Sequence, residues 1–135
     1  MAETTHPRWT TAPTLDDIEA LARDAFQTIP ATLRAHVDDV VIAVVDFPDD
    51  GIVAEMELES EFDLLGLYSG VHIGHKDSGA TPHDVDRIFL FRRPLLDYWC
   101  ETGEDLSHLV RHVLIHEIGH HFGLSDEDMD AIENG

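Results

Sequence analysis

His116-Glu117-Ile118-Gly119-His120 sets two imidazoles four residues apart, with a carboxylate next to the first. On an α-helix, positions i and i+4 share a face one turn apart, so both rings can converge on one metal ion while Glu117 sits beside it. A zinc ion in a hydrolytic site takes three protein ligands and keeps one position for a water, whose pKa falls towards about 7. Glu117 is then placed to take that water's proton. Two histidines leave the ion short of a ligand. Gly123 stands where the helix is expected to end, and glycine tolerates the left-handed backbone that reverses a chain after its last helical turn. Such a reversal would bring Asp126 back over the metal, so the expected ligands are His116, His120 and Asp126, holding one Zn²⁺ per chain.

The chain is rich in histidine, so the specificity of this pattern has to be weighed. With ten His, the bare pair with its Glu is expected by chance roughly once in twenty such chains, whereas adding Gly123 and Asp126 lowers this to roughly one in two thousand. The extended string carries the signal. His108, His112, His116 and His120 form an i, i+4 ladder in which neighbouring pairs could also hold a metal, but only the last pair has the intervening Glu and the terminating Gly. For His108 and His112, partial burial or hydrogen bonding around the ligands is expected. His121 points about 100° away from His120 and is expected to be structural. Glu133 is the only late candidate for a third ligand of the kind that lies further along the chain. The run from Asp126 to Asp130 is superficially like a calcium loop, but Ala131 stands where glycine is needed. Ser125 with Asp128 is expected to cap a final short helix.

The element that must position these groups is a helix over residues 104–122, apolar on most sides through Leu106, Leu109, Val110, Val113, Leu114, Ile115, Ile118 and Phe122. A helix of this composition is buried and rigid, which suits a preorganised site. Gly119 in its interior disfavours the helix by about 1 kcal/mol relative to Ala, which predicts a close approach at that point. Upstream, Thr14 with Asp16 and Asp17 reads as a helix start, and Ile18, Leu21, Ala22, Ala25 and Phe26 at helical spacing predict a helix over residues 15–28, with a shorter turn over 31–36. The β-branched run over residues 40–46 predicts a buried strand. Residues 52–59 fit either a short helix or an exposed strand. Residues 64–73 read as an extended segment broken by glycines, as at an edge or bulge, and 77–83 as a loop. Residues 87–92 predict a second strand, closed by Pro94, after which a helix begins near Leu95 and stops before Gly103.

Eight Lys and Arg against 28 Asp and Glu leave a formal charge of −20 on 135 residues. With Lys76 as the one lysine, the chain lacks the clustered cations that neutralise phosphates, so no nucleic-acid partner is expected. The acids over residues 38–63 are expected to form a solvated face, with a basic partner or selection of cationic substrates as the alternative. Arg92 and Arg93 are expected to pair with this acidic surface, or else to hold a substrate carboxylate. Tyr68 is expected to pack at the core or its rim, with oxyanion stabilisation as the alternative. Trp99 and Cys100 read as core, and His72 and His75 as surface residues. The polar stretch over residues 1–13 and the absence of any apolar run approaching the ~20 residues of a membrane span predict no secretion, no membrane partner and a cytoplasmic location. One domain over residues 14–135, preceded by a tail over 1–13, is the expected organisation, and the oligomeric state is left open.

The string His116-Glu117-x-x-His120-x-x-Gly123-x-x-Asp126 resembles the zincin metallopeptidases, and specifically the small mini-zincin family with the HExxHxxGxxD, or Asp-zincin-like, signature. The resemblance continues upstream through Phe62-Asp63-Leu64-Leu65-Gly66-Leu67-Tyr68-x-Gly70 and Ile88-Phe89-Leu90-Phe91-Arg92-Arg93-Pro94-Leu95, and covers roughly residues 60–130. It implies an α+β fold, with helices packed on a small mixed β-sheet and the metal site on the long C-terminal helix. It also implies zinc on His116, His120 and Asp126, with Glu117 as general base, and hence a zinc metallopeptidase acting on an unidentified peptide or protein. Nine residues follow Asp126, so the C-terminal subdomain of larger zincins is not expected, and Met129 comes too soon for a metzincin Met-turn. The alternatives are an inactive zinc-binding module whose acidic face engages a partner, and a histidine-rich metal buffer.

Overall fold

The structure, a computed structural model, describes residues 9–37, 39–70 and 86–134. The chain runs through α1 (Leu15–Gln27), α2 (Ala31–Arg34, continued by a 3-10 turn at Ala35–Val37), β1 (Val41–Val45) and α3 (Asp50–Glu55). A 3-10 turn at Glu61–Asp63 leads to β2 (Gly66–Ser69); then come β3 (Arg87–Phe91), α4 (Arg92–Thr102), α5 (Leu106–His121) and α6 (Asp126–Asn134). The expected 77–83 loop, His72, His75 and the end of the 64–73 segment lie outside the described residues.

The sheet has the order β1-β3-β2, with β1 parallel and β2 antiparallel to the central β3. This is the expected α+β arrangement of helices on a small mixed sheet. Ile88 and Leu90 of β3 are fully buried, and their register partners, Ile42 and Val44 on β1 and Tyr68 and Gly66 on β2, lie on the same helix-facing side. Helices α1, α4 and α5 close over this side. Ile18 and Ala22 from α1, Ile29 just beyond its end, Leu95 from α4, and Leu109, Val110, Leu114, Ile115 and Ile118 from α5 complete the core.

Local chemistry explains the element ends. Thr14 and Asp17 form a reciprocal capping box at the start of α1. Asp49 caps α3, which resolves residues 52–59 in favour of a helix at their start. Pro94 falls in the first turn of α4, where a missing N–H breaks no helical hydrogen bond, and Gly103 ends that helix in the left-handed conformation at φ 73°. Asp105 caps α5 by accepting the His108 N–H at 3.1 Å.

Two expectations are corrected. Among the described residues the run at 40–46 is an edge strand and not a buried one, with Val41 and Val45 exposed. A continuous apolar run can signal burial on both faces, yet here the helices cover only the side that carries Ile42 and Val44. Cys100 is exposed at the end of α4, whereas Trp99 packs against the core. The chain preceding α1 is held down, with Trp9 against the core and the Pro13 carbonyl accepting from Arg92 Nε at 2.6 Å. Arg92 also pairs with Asp46 at 3.1 Å, which bears out the expected pairing with the acidic surface. Among the described residues, no helix is long and apolar enough to cross a membrane.

Candidate metal centre

Helix α5 carries His112, His116 and His120 along one side, with ring centroids 4.1 Å apart for the first pair and 5.9 Å for the second. Its opposite sides are locked into the core, so the ladder cannot rotate without breaking the packing of Leu114, Ile115 and Ile118. The helix ends as expected at Gly123, φ 74°. There the N–H of Gly123 donates to the carbonyl of His120 at 3.2 Å, and that of Leu124 donates to Gly119 at 2.8 Å, closing a Schellman turn.

Strand β2 lies along one flank of α5. Gly66 permits the approach, since a Cβ there would meet Val113 Cγ1 at 2.7 Å. Among the described residues β2 pairs only with β3, and it keeps main-chain donors that β3 does not use. One of them, the Tyr68 N–H, donates to Glu117 Oε1 at 3.2 Å. Burial pushes the Glu117 carboxyl above its ordinary pKa, against the Tyr68 hydrogen bond and the charges of His120 and His116, which pull it down. The Tyr68 ring stacks on His121 with centroids 3.8 Å apart, and its hydroxyl donates to Asp86 Oδ2 at 2.7 Å. Burial, the hydrogen bond to Asp86 and the Asp86 charge raise the Tyr68 pKa, so the hydroxyl keeps its proton. The hydroxyl proposed for an oxyanion is therefore committed to Asp86, and the group of Tyr68 that reaches the motif is its backbone N–H.

Helix α6 lies along the other flank. Gly119 allows the close approach its position predicts: a Cβ there would overlap the fully buried Met129 thioether and stand 2.7 Å from Met129 Cγ. Ser125 and Asp128 cap α6 reciprocally, as expected, at 3.0 and 3.4 Å. At its far end, Arg111 donates to the Glu133 carbonyl at 3.0 Å and to Thr28 Oγ1 at 2.8 Å. This places the Glu133 carboxylate against the ladder: Oε2 lies 2.6 Å from His112 Nδ1, and Oε1 lies 3.3 Å from His116 Nε2. Burial alone would raise the Glu133 carboxyl; hydrogen bonds and charge from His112 and His116 instead hold it below the ordinary carboxylate value.

His116, Glu117 and His120 are thus brought together on α5. Asp126 opens α6 as an exposed residue in its acidic first turn. Among the described residues, the three metal-capable donors that lie within 4.8 Å of one another are His112, His116 and Glu133. Sequence reasoning offered His112 as a hydrogen-bonding partner around the ligands and missed that it meets Glu133 beside His116. Its i, i+4 spacing to His116 was the available signal, and the position of Glu133 opposite both rings depends on how α6 docks. The donors suit zinc chemically, being imidazoles and carboxylates with a half-buried carboxylate next to the first motif histidine.

A comparison of the chain with curated proteins found no match. A family model described as zincin-like metallopeptidase matches residues 37–135, which span the sheet, α5 and α6. The chain belongs to the zincin-like metallopeptidase family.

Proposed function

We propose that the protein is a zinc-dependent hydrolase of peptide bonds, with His116, His120 and Asp126 as the zinc ligands and Glu117 as the general base. The observation that carries this reading is the Glu117 carboxylate, half-buried beside the two motif histidines and tied through Oε1 to the Tyr68 N–H. When bound, zinc supplies a Lewis acid for the scissile carbonyl and acidifies a water. The chain's own residues do the rest. With Oε1 engaged by β2, Oε2 of Glu117 is the oxygen left to accept a proton and return it to the leaving amine. Burial makes this carboxylate a stronger base than one in water, which helps it take a proton. Strand β2 lies beside Glu117, and an extended peptide added to a strand of this kind is held through main-chain hydrogen bonds, which suits a peptide substrate.

The test is hydrolysis of a peptide library by the full chain loaded with one equivalent of zinc, alongside Glu117→Gln. The wild type is expected to cleave, and the variant is expected to keep zinc while losing roughly 10²–10⁴-fold in rate. Full turnover by Glu117→Gln would overturn the role given to Glu117. Bound zinc with no cleavage of any peptide by the wild type would replace the enzyme reading with that of a zinc-binding interaction module.

A further inference from the structure

The contact between α5 and α6 leaves one cluster outside the motif's own logic. His112 and His116 stand one helical turn apart with their rings tilted by 31° and 4.1 Å apart, and each presents a ring nitrogen to a different oxygen of Glu133. Ligands on a tetrahedral zinc at about 2.0–2.1 Å are separated by roughly 3.3 Å. One donor atom from each of the three residues already lies within 4.8 Å of the other two, and the nearest contacts of Glu133, made through its two different oxygens, are 2.6 Å to His112 and 3.3 Å to His116. The cluster is also held from outside. The Glu133 side chain is only 10% exposed, its helix end is gripped by Arg111, and α6 is seated on Gly119 by Met129. His112 is 47% exposed, which opens the cluster to solvent. Two imidazoles and one carboxylate from two fixed helices, on a side open to solvent through His112, make a coordination set for a borderline divalent cation such as Zn²⁺.

We propose that His112, His116 and Glu133 form a second seat for a divalent cation, which shares His116 with the seat on His120 and Asp126. The sharing rests on the function proposed above; the second seat by itself does not. The His116 Nε2 lone pair serves one cation at a time, so the two seats compete for a single ion. Occupation of the second seat, the upper of the two, withdraws His116 from the pair that flanks Glu117. Helix α6 would thereby set how much of the bound metal stands beside the general base.

The experiment is a Co²⁺ titration of the full metal-free chain, read by visible absorption and by calorimetry, with circular dichroism to confirm folding. His120→Ala/Asp126→Ala removes the lower seat and is expected to bind one Co²⁺. Adding His112→Ala and Glu133→Gln is expected to weaken that binding by more than about 100-fold, beyond the 10–100-fold effect of losing an outer partner. His112→Ala/Glu133→Gln alone is expected to bind one Co²⁺ with a changed spectrum, and the wild type one in total. Failure of His120→Ala/Asp126→Ala to bind while still folded, or unchanged affinity after His112 and Glu133 are replaced, would overturn the second seat. Two equivalents in the wild type would overturn the sharing. Absence of Co²⁺ from folded His112→Ala/Glu133→Gln would sink the lower seat instead, and with it the proposed zinc ligands, while leaving the upper seat standing.

Discussion

The two elements that flank α5 reach it by opposite means. On one side the strand supplies the glycine, Gly66, and the helix supplies the side chain it meets, Val113; on the other the helix supplies Gly119 and the neighbour supplies Met129. The chemistry delivered differs accordingly. Strand β2 brings a backbone donor, the Tyr68 N–H, whose direction is set by pairing with β3 and which cannot rotate away from Glu117. Helix α6 brings a side chain, Glu133, whose position depends on the Ser125 cap, the Met129 contact and the Arg111 clamp acting together. A carboxylate at this site is thus either fixed by a main chain or carried by a docked helix, and only the second can be loosened without disturbing the sheet.

The α6 flank is broken most directly at Met129. This side chain is fully buried, and truncating such a residue removes about 2–5 kcal/mol. Met129→Ala is expected to lower stability by about 3 kcal/mol in urea unfolding. A loss below about 1 kcal/mol would mean that α6 does not dock on α5 as described.

Next in size is the β2 flank. Gly66→Ala places a Cβ 2.7 Å from Val113 Cγ1 and 3.1 Å from the Phe89 carbonyl, and the carbonyl belongs to the central strand and cannot swing aside. Overpacking of this kind is expected to remove about 2 kcal/mol, read by the same unfolding curve. Unchanged stability would show that β2 can slide on α5, and the contrast between a fixed and a docked flank would fail.

Arg111→Ala sharpens the contrast. It removes the hydrogen bonds to the Ile132 and Glu133 carbonyls and to Thr28, worth about 1–2 kcal/mol together. Amide exchange is expected to quicken over residues 130–134 and to stay unchanged in β2. Equal quickening in both would show that the flanks are not independent. Arg23→Ala supplies the baseline, since its pair with Glu19 is exposed on α1, away from both flanks, and a change below about 0.5 kcal/mol is expected.

Much of this was legible in the sequence because the signals are local. The cap at Thr14, the spacing of Ile18, Ala22 and Ala25, the stop at Gly103 and the reversal at Gly123 each depend on residues within a turn or two, and each stands where its residues place it. The Gly119 approach was legible as a fact, though its partner was not, because Met129 reaches it only after the chain has reversed. The exposure of Cys100 and the edge position of β1 were misread for the same reason, since burial depends on which elements lie opposite.

The sequence by itself determined the pairing of His116 and Glu117 with His120, which follows from helical periodicity and fixed spacing over a few turns, and through its resemblance to the zincins it pointed to the family and to the α+β class. Tertiary structure alone decided that Glu117 is held by a strand 49 residues earlier in the chain, and that Glu133 faces His112 and His116 across the helix interface. Those contacts depend on the packing of β2 and α6 against α5, where the closeness of approach is set by glycines on opposite partners, and no spacing along one chain segment encodes it.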